Sequence, residues 1–262
     1  MKKAMMYLLL ALGITLFVMF VGGAVCGFII GFIDGFNGKE TGTASSMSYL
    51  VGFGSALVLV LCAILNFVFL RNKFASYTIG RIPKPICWKV FLGMILAMSG
   101  MAVLYAAMND IAIQRGWEDE TMRELYAQLG QNPLYTLLLI VVIEATSNLI
   151  IYGAVMREIL EWKHHPMIIG HIYAVVMALI TLAYGNVLLI LPAMMLARFE
   201  IMVYEYTRSV IPIIIGDVAF WIVTLCLLGV TSHGWWILIA SILALPGVLL
   251  ALNPMEPYKP ID

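Results

Sequence analysis

Long apolar runs separated by short polar stretches set the pattern of this chain. They fall at about 4–32, 49–70, 90–107, 135–155, 167–183, 187–204, 210–230 and 235–252. A hydrocarbon core ~30 Å thick needs about 20 apolar residues in helical conformation, so the pattern predicts an all-α, polytopic transmembrane bundle of about eight helices. The breaks at Tyr184-Gly185-Asn186 and at Thr231-Ser232-His233-Gly234 are very short, which makes the helices on either side antiparallel neighbours. Between the third and fourth runs, Glu118-Asp119-Glu120 place negative charge in a first helical turn, where the helix dipole favours it. Met122, Leu125, Tyr126 and Leu129 then repeat at amphipathic spacing before Gly130 and Pro133, predicting a short surface helix on the outer face that acts as a structural lid. Gly23, Gly27, Gly31 and Gly35 in the first run recur in four-residue steps. This face permits close helix packing, within the bundle as the first expectation and between two copies as the second.

Composition strengthens the bilayer reading. Of 262 residues, 63% are hydrophobic and 11% charged, and the mean hydropathy is +0.99; a soluble domain carries roughly 25% charged residues. The apolar run behind Met1-Lys2-Lys3 continues well past a signal-peptide core of about 7–15 residues and reads as a retained first helix. With a cytoplasmic N-terminus, Lys2, Lys3, Arg71, Lys73, Arg81, Lys84, Lys89, Arg157, Lys163, Arg198, Arg208 and Lys259 lie inside. Lys39, Arg115 and Arg123 are left outside. This positive-inside bias and an even helix number predict both termini in the cytoplasm, in a bacterial plasma membrane with lipid as the constant partner. Zero formal charge gives no ground for a nucleic-acid partner. Residues 1–133 hold three transmembrane helices and the outer amphipathic helix, and residues 134–262 hold five, as one integral unit.

Ionisable residues at membrane depth are costly, about 2.5–3.5 kcal/mol on insertion scales, so they point to function or to interhelical bonding. Glu144, His171 and Asp217 are predicted to face the interior or a wet cavity. Arg198 and Glu200 lie near the cytoplasmic end of the sixth run and read as boundary residues that snorkel. His164-His165 lacks a third ligand in sequence, and Cys26, Cys62, Cys87 and Cys226 are widely spaced within or beside apolar runs, so no metal site is expected. No phosphate loop, HExxH or GxSxG occurs, and no cofactor is expected.

Three stretches, SNLIIYG (147–153), MALIT (177–181) and YEYTRSVIPIIIGDVAFW (204–221), occur in that order across the later helices. In order and spacing they resemble the CPBP family of intramembrane proteases (CAAX protease and bacteriocin-processing, or Abi). That family reads EExxFRG, then FxxxH, then Tyr-x-x-Thr-Gly-Ser-x-x-x-Pro leading into HxxxN. The scaffold positions agree: Gly153 fills the glycine slot, Ile151 and Met177 fill the phenylalanine slots, and Tyr204, Thr207, Ser209 and Pro212 form the junction. The polar positions depart from it. Ser147 and Asn148 stand for the two glutamates, Tyr152 for the arginine, Thr181 and Asp217 for the histidines, and Trp221 for the asparagine.

In the family, the resemblance implies, a glutamate activates the attacking water while histidines and asparagine assist. A general base must change protonation within reach of its water, and neither Ser147 nor Asn148 does so near neutral pH. The resemblance therefore implies a CPBP-like core with a degenerate site. The first expectation is a pseudoenzyme that binds a membrane protein or hydrophobic peptide, with Ser147, Asn148, Tyr152, Thr181 and Asp217 lining a cavity toward the cytoplasmic side. One alternative is an active intramembrane peptidase in which Glu144 and Asp217 form an acid dyad. Another is a small transporter, since acids at membrane depth also mark ion paths.

Overall fold

The computed structural model describes residues 87–116, 133–156, 166–183, 187–227 and 235–252, and scattered helical positions between Gly13 and Val68. Among the described residues the chain is all-helical, without strands. Six helices account for most of it: α1 Cys87–Gln114, α2 Pro133–Ile150, α3 Pro166–Ala183, α4 Ile190–Thr207, α5 Ile211–Leu227 and α6 Trp236–Leu252. They coincide with the third to eighth apolar runs. Two stretches, Trp88–Gln114 and Val187–Thr207, are long and apolar enough to cross a membrane. The amphipathic segment 118–129 lies outside the described residues, as do Gly23 and Gly27.

Local chemistry explains most of the helix limits. Both α2 and α3 begin on a proline, whose fixed φ and missing N–H suit the first helical position. The helix α1 continues a full two turns beyond the apolar run that predicts it, through Asn109 and Asp110. It stops at Gly116, which takes φ 69° while its N–H bonds the Ile113 carbonyl at 3.0 Å. A left-handed glycine, rather than the end of hydrophobicity, terminates the helix. Beyond Ile150, α2 runs on as one π turn, Ile151–Met156. A 3-10 turn, Val187–Leu189, leads into α4.

The α4–α5 corner is buried and held by its own side chains. Arg208 adopts the left-handed conformation at φ 50°, and its N–H bonds the Tyr204 carbonyl at 2.8 Å. Thr207 Oγ1 donates to the Val203 carbonyl at 2.7 Å and accepts from the Ser209 N–H at 3.2 Å. Ser209 Oγ in turn accepts from the Ile211 N–H at 3.3 Å. These hydroxyls supply partners for backbone groups that a helix end leaves open.

Packing centres on α1, which lies against α5 and α6, while α5 also meets α2, and α3 meets α4. The contact of α1 with α6 is made by small residues. A methyl added at Gly93 would strike the Ala251 backbone, one at Gly100 would stand 2.5 Å from Ala244 N, and one at Gly247 would strike Ala97. Residue numbers rise along one helix as they fall along the other, so the two are antiparallel. Backbone approach of this kind maximises dispersion contact between the two helices. Gly31 and Gly35 behave differently: among the described residues, nothing lies within 4 Å of where their Cβ would stand. At those two positions the packing expected within the bundle is not found.

The outer surface carries the large aliphatics. Leu238, Ile242, Leu245 and Leu249 form one exposed stripe on α6, and Leu134 is 84% exposed at the start of α2. The interior, by contrast, holds Asn148, Glu200, Ser209 and Asp217 beside Met94, Met98, Tyr152, Tyr204 and Ile213. Large aliphatic side chains are thus exposed around an interior that is mainly apolar and carries a few bonded polar groups.

The Gly247→Leu substitution should therefore force α1 and α6 apart, an overpacking cost of about 1–3 kcal/mol or more. Thermal unfolding in detergent micelles should show a clear fall in Tm, whereas Gly35→Leu should leave the Tm unchanged.

Candidate functional site

Helical spacing builds the site. On α2, Glu144, Asn148 and Tyr152 follow one another at four-residue steps and share a face. On α5, Asp217 and Trp221 stand one turn apart. The two helices meet in antiparallel register, giving two polar rungs. Trp221 Nε1 donates to Glu144 Oε1 at 2.6 Å, and the Asn148 side-chain amide donates to Asp217 Oδ2. Of the polar slot positions, Asn148, Tyr152, Asp217 and Trp221 are thus drawn into one region.

Glu200 completes the cluster and corrects an expectation. Arg198 and Glu200 read as membrane-boundary residues in sequence, yet Glu200 is only 6% exposed. The Tyr152 hydroxyl donates to Glu200 Oε2 at 2.6 Å and lies 3.5 Å from the Tyr173 hydroxyl of α3. Arg198 does not reach outward freely either: its Nη1 is enclosed, pressed beside Gly170 and Ile201.

Other expected site residues lie elsewhere. Ser147 Oγ donates to the Glu144 carbonyl at 3.2 Å within its own helix. The Thr181 backbone belongs to α3, and its side chain is outside the described residues. His171, predicted to face the interior, is on the exposed side of α3. Glu144 is held by Trp221 on the rung next to Asp217.

Aromatic rings enclose this set. Tyr152 packs on Tyr204 with centroids 5.2 Å apart and edge-on to Tyr173 at 6.0 Å. Trp221 stands edge-on to Phe220, which meets Tyr105 of α1. The partners reaching the three carboxyls are an indole N–H, an amide and a phenol. Chemically, this arrangement ties α2, α4 and α5 together through neutral donors, and α3 through Tyr173. Among the described residues, no group of three or more His, Cys, Asp or Glu side chains is arranged to hold a metal ion.

Sequence reasoning missed Glu200 and Tyr173. A signal for Glu200 was present: Phe199, Ile201, Met202 and Val203 surround it and carry the apolar run another turn. Arg198, two residues away, suggested a charged boundary pair, but residues at that spacing do not face each other on a helix. Tyr173 carried no signal, because an aromatic residue in an apolar run reads as packing.

Comparison of the chain with family models, with curated proteins and with solved structures gives no match in any of the three.

If the Asn148–Asp217 bond couples α2 to α5, Asn148→Leu and Asp217→Leu should each lower stability, and the double variant should lose less than their sum. Side-chain bonds between membrane helices give about 0.6 kcal/mol on average and up to about 1.7. Unfolding of the four proteins in micelles measures the coupling, and strict additivity would mean the bond contributes none.

Proposed function

We propose that this chain is an eight-helix integral membrane protein with cytoplasmic termini, a catalytically silent relative of the CPBP intramembrane proteases. In this reading its helical core binds another membrane protein or a hydrophobic peptide without cutting it. The observation that carries the proposal is the pairing of the polar slots with one another and with neighbouring acids. Asn148 is committed to Asp217, Trp221 to Glu144, and Tyr152 to Glu200. A base that activates water must take the water's proton. Ser147 and Asn148, which stand in the slots of the family's glutamates, do not do so near neutral pH. Each nearby carboxyl has one oxygen held by a protein donor. Ser147 is committed to its own helix. What remains is a bonded polar cluster inside an apolar exterior, a surface suited to lipid and to other apolar helices.

The test uses the full chain reconstituted in phospholipid vesicles with fluorescent model transmembrane peptides. Energy transfer should report association, and mass spectrometry should show every peptide intact after prolonged incubation. Glu144→Gln, Glu200→Gln and Asp217→Asn variants should leave the peptides equally intact. Specific cleavage lost in any of these variants would establish an acid-dependent peptidase instead.

A further inference from the structure

The α1–α6 pair carries a ruler. Contacts of Gly93 with Ala251, Ala97 with Gly247 and Gly100 with Ala244 fix the register. Extended along both helices, that register sets Trp235 level with the region of Asn109 and Asp110. From Trp88 to that level is about 20 residues, or roughly 30 Å at ~1.5 Å per residue. This equals the thickness of a bilayer's hydrocarbon core, ~30 Å. The residues marking the two ends are those that favour the headgroup boundary. Trp88 is 61% exposed with Lys89 Nζ 5.8 Å from its ring centroid, and Trp235 is 57% exposed and packed beside Trp236. Between these ends the outward face is aliphatic: Leu92 and Ile95 on α1, and Leu238, Ile242, Leu245 and Leu249 on α6.

We infer that Trp88 with Lys89 and Trp235 with Trp236 mark the two headgroup boundaries, so that the polar rungs of α2 and α5 lie near the bilayer midplane. The depth of the rungs follows from Gly216, where an added methyl would meet Met94 and Met98 of α1. Its neighbour Asp217 is therefore six to ten residues from Trp88 along the α1 axis, about 9–15 Å into the hydrocarbon. Trp221 lies one turn beyond Asp217 on α5, which runs parallel to α1 in this contact, as the Tyr105–Phe220 ring pair also indicates. The two rungs accordingly straddle the centre. Aromatic anchors at both boundaries hold the bundle at this height, because indole rings favour the headgroup level over either water or hydrocarbon.

The inference rests on the bilayer reading above, and one experiment separates the two. Leu238, Ile242, Leu245 and Leu249 are replaced singly by cysteine and spin-labelled in a chain lacking its native cysteines. The protein is then reconstituted in phosphatidylcholine–phosphatidylglycerol vesicles. These side chains point away from the protein, so the label disturbs no packing. Relative accessibility to oxygen over a water-soluble nickel chelate should be highest at Leu245 and fall several-fold toward Leu238, with Leu249 intermediate. A maximum at Leu238, or a steady gradient along α6, would overturn the placement while leaving the membrane reading intact. Failure of the unlabelled protein to float with the vesicles would overturn the membrane reading itself.

Discussion

The Asp217 carboxyl is where the bundle is tied. It belongs to α5 and receives the Asn148 amide from α2. One turn further on, Tyr152 donates to Glu200 of α4 and reaches Tyr173 on α3. The α2 element is thus bonded to three other helices. In an apolar medium an unmatched polar group costs far more than in water, so each of these side chains restricts where its neighbour can stand. A chain built only of leucines and valines could slide along its neighbours with little penalty. Here the register of α2 against α5 is specified at two consecutive turns.

A second constraint works without polar groups. Gly93, Gly100 and Gly247 remove side-chain bulk so that the α1 and α6 backbones touch. The polar network and the small-residue seam meet through α1, which packs on both α5 and α6. Met94 and Met98 fill the space between Gly216 and the rest of the core, and their unbranched side chains suit an irregular gap. The fold is thus a layer of close backbones beside a layer of bonded side chains.

The positions of α1 to α6 were legible because each is an apolar run bounded by proline, glycine or a short polar turn. Where the run and the stop signal disagreed, as between Ala107 and Gly116, the stop signal won. The pairing of Asn148 with Asp217 was not legible. Periodicity shows which residues share a face of one helix, but it carries no information about which face of another helix arrives opposite. Glu200 was misplaced because a charged residue near the end of an apolar run reads as a boundary, and burial by tertiary contact overrode that local reading. His171 was misplaced for the converse reason: it sits among apolar neighbours in sequence, yet α3 meets the described bundle mainly through α4 and turns that histidine outward.

The π turn at Ile151–Met156 has a consequence of its own. Such a turn absorbs one additional residue without breaking the helix, which shifts the side chains within it by about a quarter of a revolution. The Glu144–Asn148 face can then stay turned to α5 while Tyr152, inside the wider turn, is aimed at Glu200 of α4. A single continuous element thereby serves two neighbours at different azimuths.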